Sequence, residues 1–204
     1  MVSLEVPIQY QPFFCEENIW KLVAESLPQV DGEVILISNA EQAFALNSQR
    51  AGGDAGVVMW DYHVVFLMHD EDGQQTIWDL DTTLGYPVAA STWCDQSLGF
   101  YLADWSRGEA GRRQRDWLPA TPVYRSELTE IQPMFRVIPV VQYRTQFSSD
   151  RRHMKAEDGG WLQELPPWKA IGEGHRLAEW LGFEHAEPGR VLNLPEFFGD
   201  LFRE

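Results

Sequence analysis

An α/β (α+β) fold in a single domain, residues 1–204, is predicted by three features of the sequence. An amphipathic helix opens near Cys15, a valine- and aromatic-rich β-hairpin runs through residues 57–82, and no linker or internal repeat divides the chain. At 204 residues the chain can build one substantial core and is short for two. Nine tryptophans and eleven phenylalanines supply apolar surface to bury, which excludes a wholly disordered chain.

In the first element, Ile19, Leu22, Val23 and Leu27 recur at helical spacing, and Glu16 and Glu17 sit in the first turn, where the helix dipole favours acids. Pro28 marks its end. Glu33–Ser38 reads as a short buried strand, and residues 39–56 as a connecting loop with one helical turn. Val57–Met68 is the strongest strand, followed by the acidic turn HDEDGQQ with Gly73 available for positive φ. Thr76–Thr82 returns as its hairpin partner.

From Gly85 to Pro122 the patterns weaken: SLGFYLADW reads as a short helix, and GEAGRRQRDWLPATP as an exposed basic loop. Phe135–Tyr143 reads as a strand, with Pro139 marking an edge or bulge. Asp150–Gly160 is irregular, Trp161–Pro167 a packed Pro-rich loop, His175–Leu181 a helix, and Pro195–Phe202 a closing amphipathic helix.

Sixteen basic and 31 acidic residues leave a net charge of −15, which disfavours nucleic acid and anionic membrane as partners. Acidic groups near a site would instead attract a cation such as a free α-amino group. Two cysteines, Cys15 and Cys94, are too few for a disulfide framework. The opening residues lack a signal-peptide pattern, and no apolar run approaches the roughly 20 residues of a membrane helix. A soluble monomer in reducing cytosol is the expectation, with the nucleus added if the source is eukaryotic.

The chemistry-bearing residues start with Cys15. A cysteine reacts as its thiolate, and a helix start favours the thiolate through unpaired backbone N–H groups. His63 lies within the first hairpin strand, and Asp79 and Asp81 lie on one face of the second. Buried carboxylates need partners, and the neighbouring imidazole is the obvious one. A three-residue loop Glu71–Gly73 sets His63 opposite Asp81, whereas a loop one residue earlier sets it opposite Asp79. Turn chemistry slightly prefers the first and leaves the two aspartates nearly even. Together they form the Cys–His–Asp logic of acyl transfer, in the chain order of papain-like and transglutaminase-like enzymes.

The strings FFCEENIWKL (Phe13–Leu22), WDYHVVFL (Trp60–Leu67), WDLDT (Trp78–Thr82), SDRRHMK (Ser149–Lys155) and RVLNLPEFF (Arg190–Phe198) resemble those of protein N-terminal glutamine amidohydrolases. The resemblance implies a papain-like core, with the cysteine-bearing helix packed on an antiparallel sheet that bears histidine and aspartate. It also implies the triad Cys15, His63 and Asp79, with Asp81 in support. The implied activity is hydrolysis of the side-chain amide of an N-terminal glutamine, on proteins or peptides with that residue free.

Asp61, Glu16, Glu17 and Asp150 are the candidate readers of the α-ammonium, by proximity to the motifs. Trp60 and Tyr62 are expected on the strand face opposite Asp61 and His63, as core residues. His153 reads as a structural loop residue and Cys94 as a bystander. No cofactor is called for, and no CxxC or HExxH spacing points to a metal. The Arg112–Arg115 insert departs from the family pattern. A papain-like peptidase, a transglutaminase-type acyl transferase and a non-catalytic binder of peptide N-termini are the rival readings.

Overall fold

Strand β1, Gly32–Ser38, is apolar at consecutive positions because both of its faces are covered. The computed structural model describes residues 6–70, 72–102 and 131–202. In it β1 lies inside a six-stranded sheet of order β6-β5-β4-β1-β7-β8, antiparallel at every pairing. The other strands are β4 (His63–His69), β5 (Gln75–Trp78), β6 (Val88–Ala89), β7 (Met134–Pro139) and β8 (Arg190–Leu192). Strands β2 (Phe44–Leu46) and β3 (Val58–Trp60) pair separately.

The pleat divides the core into two layers. Ile35, Ile37, Val65, Leu67, Phe135 and Val137 face helices α2 (Ala90–Ser97) and α5 (Leu194–Leu201). Val34, Leu36, Val64, Phe66 and Ile138 face α1 (Cys15–Lys21), α3 (Val140–Gln146) and α4 (Leu177–Trp180). A π-helical turn, Leu22–Ser26, continues α1. The mixed α/β class and the antiparallel sheet agree with expectation. Among the described residues no helix is long and apolar enough to cross a membrane.

Several elements differ from the sequence reading. The long strand expected over Val57–Met68 is two strands in two sheets, broken at Asp61 and Tyr62. The strand expected over Phe135–Tyr143 stops at Pro139, and the chain continues as α3. Proline cannot donate to a ladder, so pairing ends where it stands. Residues 39–56 hold β2 besides a 3-10 turn, and residues 90–97 form a helix that no periodicity announced. The hairpin turn keeps its expected form, with the Asp70 amide bonded to the Gln74 carbonyl (3.0 Å) and Gly73 at φ 78°. Glu71 and the basic loop with Arg112–Arg115 lie outside the described residues.

Two arginines fasten loops to this frame. Arg136 on β7 is fully buried and donates to the carbonyls of Trp180, Gly182, His185 and Pro188, at 2.6–2.9 Å. Arg144 on α3 donates to the carbonyls of Val23, Leu27 and Val30, where the helix after Cys15 ends. Arg136→Leu strands four carbonyls without donors and is expected to cost at least about 3 kcal/mol. In urea denaturation that lowers the midpoint by about 1 M or more. An unchanged midpoint would show that those carbonyls find other partners.

Candidate active site

Cys15 occupies the first position of α1, after Phe13 at φ 67° and Phe14 as N-cap. Asn18 anchors this helix start. Its amide oxygen accepts from the Gln11 amide and its nitrogen donates to the Gln11 carbonyl, both at 2.8 Å. The first turn, Cys15–Asn18, is buried throughout. The thiol's hydrogen-bond partner is its neighbour, Glu16 Oε2, at 3.8 Å.

Burial pushes the Cys15 thiol well above its ordinary range, and Glu16, Asp81 and Asp61 push it further; the Val64 backbone amide pulls the other way. The helix start, which favours the thiolate, is therefore opposed by its surroundings. Desolvation and three nearby carboxylates act against the dipole of the first helical turn.

His63 opens β4, and its Nε2 lies 2.9 Å from Asp79 Oδ1, both groups fully buried. The ladder runs Phe66↔Trp78 to His69↔Gln75, the register of the three-residue loop, which extrapolates to His63 opposite Asp81. The partner is nevertheless Asp79. Strand β5 ends at Trp78 and the chain turns, the Thr82 amide reaching back to the Asp79 carbonyl (3.4 Å). Asp79 Oδ1 also accepts from the Asp81 amide (3.0 Å), and Oδ2 accepts from Gln49 Nε2 (3.1 Å) and Trp93 Nε1 (3.0 Å).

Burial would raise Asp79, but His63, Trp93 and Gln49 hold it below the usual carboxylate range. Burial likewise pushes His63 down, and the Asp79 charge overrides it, leaving the imidazole above its ordinary value. His63 Nδ1 is buried and has no hydrogen-bond partner.

Trp60 stacks on the imidazole, ring centroids 4.9 Å apart and planes 19° from parallel. It was expected on the opposite face, but the break at residues 61–62 cancels strand alternation there. Asp81 accepts the Tyr10 hydroxyl (2.6 Å), and burial raises its carboxyl.

The four candidate substrate-reading carboxylates have different surroundings. Glu17 is buried in a two-point bond with Arg151 (2.7 Å each) and also accepts Trp168 Nε1 (2.7 Å), so its oxygens are engaged. Arg152 binds Asp150 and holds it down at about 2. Glu16 is buried, with Oε2 accepting the Tyr62 hydroxyl (3.0 Å). Asp61 is exposed, one oxygen accepting the Tyr62 amide (2.9 Å).

A cavity of about 410 Å³ adjoins this corner, lined by Asp61, Tyr62, His153 and His175 with Leu162 and Leu177 among its apolar walls. His153 stands against the Tyr62 hydroxyl (3.1 Å) and stacks on His175. Gln49, Trp93, Tyr10 and Tyr62 were not identified as functional from sequence. Residues 30 and 14 positions away from Asp79 reach it only through the fold, and no local pattern marks them. His153, read from the sequence as a structural loop residue, lies on the wall of that cavity.

Ligand atoms of His63, Asp79 and Asp81 lie within 4.8 Å of one another, the spacing of a metal site. Within that array the oxygens of Asp79 are already engaged by donors of the chain.

The model of a family described as N-terminal glutamine amidase matches residues 10–201. Proteins named protein N-terminal glutamine amidohydrolase from Drosophila pseudoobscura pseudoobscura and Drosophila grimshawi are each 32% identical over 207 residues, covering 95% of this chain and 88% of theirs. One of the same name from Drosophila mojavensis is 33% identical over 201 residues, covering 92% and 85%.

The His63–Asp79 pair sets a pH signature. A raised imidazole adds stability below its unfolded value, lost as pH rises through the folded one; a lowered carboxyl adds stability above its unfolded value, lost as pH falls. The pair should therefore contribute fully between about pH 4 and 6.5. Imidazole NMR should place His63 above its ordinary value in the native protein. In Asp79→Asn it should fall, because burial is then opposed by the Asp81 charge alone; a His63 titration untouched by the substitution would refute the pairing.

Proposed function

The chain belongs to the N-terminal glutamine amidase family, whose members are amide hydrolases, and we propose that it converts the N-terminal glutamine of proteins or peptides to glutamate, releasing ammonia. The observation that carries the mechanism is the buried His63–Asp79 bond with Nδ1 left open. Asp79 engages Nε2–H, so Nδ1 is the basic nitrogen, and Cys15 is the nucleophile it serves.

His63 Nδ1 takes the thiol proton as the Cys15 sulfur bonds to the glutamine carboxamide carbon. The C–N bond then breaks, His63 returns the proton to the departing nitrogen, and ammonia leaves a thioester on Cys15. His63 next deprotonates a water that attacks the thioester carbon. The C–S bond breaks as His63 returns that proton to the leaving sulfur, giving the glutamate side chain and the free thiol. Asp79 holds the tautomer and stabilises the charged imidazole, while the Cys15 backbone N–H faces the developing oxyanion.

The pleat points His63 toward the α2 layer, and Cys15 rides on α1 in the other layer, packed beside Val64. The reaction is thus drawn around the end of β4, where β5 has already stopped, as in a papain-like or transglutaminase-like core. The reading has a single catalytic domain acting as a monomer in a reducing compartment, with Cys15 and Cys94 as free thiols.

Mass spectrometry of Gln-initiated, internal-Gln and Asn-initiated peptides tests this. The mass change of amide-to-acid exchange is expected only in the first set. Backbone cleavage, or transfer to an added amine, would favour the rival enzymes. Cys15→Ala should abolish turnover, and Asp79→Asn should lower kcat by about 10⁴-fold. Full deamidation by Cys15→Ala would end the proposal.

A further inference from the structure

Beside the thiol lies a carboxylate with an open oxygen. Glu16 is fully buried, its Oε2 taken by the Tyr62 hydroxyl (3.0 Å) and 3.8 Å from the Cys15 sulfur. Its Oε1 accepts no hydrogen bond. Among the described residues, the basic nitrogen His153 Nε2 lies 3.5 Å from Oε1, and it stands 3.1 Å from the Tyr62 oxygen. With the Tyr62 proton on Glu16, an Nε2–H of His153 would donate to the Tyr62 oxygen rather than to Oε1. Tyr62 and His153 both line the 410 Å³ cavity, with Asp61 exposed on the same wall.

A buried carboxylate with unfilled lone pairs is costly, and a small cation carrying several N–H donors offsets that cost best. We propose that Glu16 receives the α-ammonium of the substrate's first residue, with Asp61 as an outer attraction, and that seating this cation readies Cys15 for attack. The proposal rests on the N-terminal glutamine reading of the site. Three carbons separate the carboxamide carbon of glutamine from its α-nitrogen. A substrate whose carboxamide meets the sulfur therefore has its ammonium within reach of a carboxylate 3.8 Å from that sulfur.

The same placement ties recognition to chemistry. Glu16 on α1, Asp61 before β4 and Asp81 after β5 all disfavour the thiolate, whose charge would in turn act on the hydroxyls of Tyr10, Tyr62 and Tyr143. An ammonium on Glu16 cancels the strongest of these charges. An internal glutamine brings no such cation and leaves the sulfur protonated.

The experiment compares a Gln-initiated peptide with its des-amino analogue, in which hydrogen replaces the α-ammonium. The native enzyme is expected to prefer the ammonium substrate by at least about thirtyfold in kcat/KM, with part of the effect in kcat. In Glu16→Gln, which keeps an acceptor for Tyr62, that ratio should collapse toward unity. In Asp61→Asn the ratio should largely survive while KM rises. Should Glu16→Gln fail to fold, Glu16→Asp carries the test, since retracting the carboxylate by one carbon must lower the ratio.

An undiminished ratio in the Glu16 variants, or collapse in Asp61→Asn alone, overturns the assignment. So does a native ratio near unity. No ammonia at all from the Gln-initiated peptide would instead sink the functional reading beneath it.

Discussion

Asp79 is buried with four donors converging on its two oxygens: His63 Nε2, the Asp81 amide, Gln49 Nε2 and Trp93 Nε1. A carboxylate in that position survives as an anion only because every lone-pair direction is occupied. The surrounding architecture is what supplies those donors. Strand β5 stops at Trp78 so that Asp79 escapes the ladder, α2 brings Trp93 across, and the segment after β2 brings Gln49. The charge thus fixed lifts His63 and commits its Nε2, which is why Nδ1 alone is open. Remove any donor and the anion is less stable; remove the anion and the imidazole loses its orientation.

Around Cys15 the problem has the opposite sign. Burial, Glu16, Asp81 and Asp61 all disfavour the thiolate and hold the sulfur's proton more tightly than in a free thiol. The proposed chemistry therefore moves the proton within the complex, onto an imidazole whose affinity for it is raised. Glu17, next in sequence, shows the structural use of a buried acid: Arg151 and Trp168 close on it and tie the C-terminal half of the chain to α1. Adjacent glutamates on one helical turn thus differ because one is saturated by partners and the other has an oxygen to spare.

Local chemistry made part of this visible without coordinates. Helical spacing after Cys15 located α1, Gly73 located the hairpin turn, and the Asn193–Glu196 capping box agrees with the closing helix read from residues 195–202. The Asp79-or-Asp81 choice was not accessible by the same route. Register arithmetic was sound, since the ladder pairs as the three-residue loop requires, yet it extrapolated a strand past Trp78 where the chain had already turned. Only the family motif pointed to Asp79. The break at Asp61–Tyr62 escaped for a similar reason: an unbroken valine and aromatic run carries no mark of where one sheet ends and another begins.

By itself, then, the sequence determined the class of fold, the helix that carries Cys15, the hairpin that carries His63, and the acidic character of the whole. These follow from periodicity, turn residues and charge, which act between near neighbours. The tertiary structure decided which aspartate meets His63, that Trp60 stacks on it, that the first-turn acids are buried rather than solvated, and that Glu16 retains an unpartnered oxygen near Tyr62 and His153, which line a cavity. Each of those depends on groups tens of residues apart, such as Tyr62 and His153 around Glu16. Burial, which sets the cost of every unpaired charge, is a property of the folded chain alone.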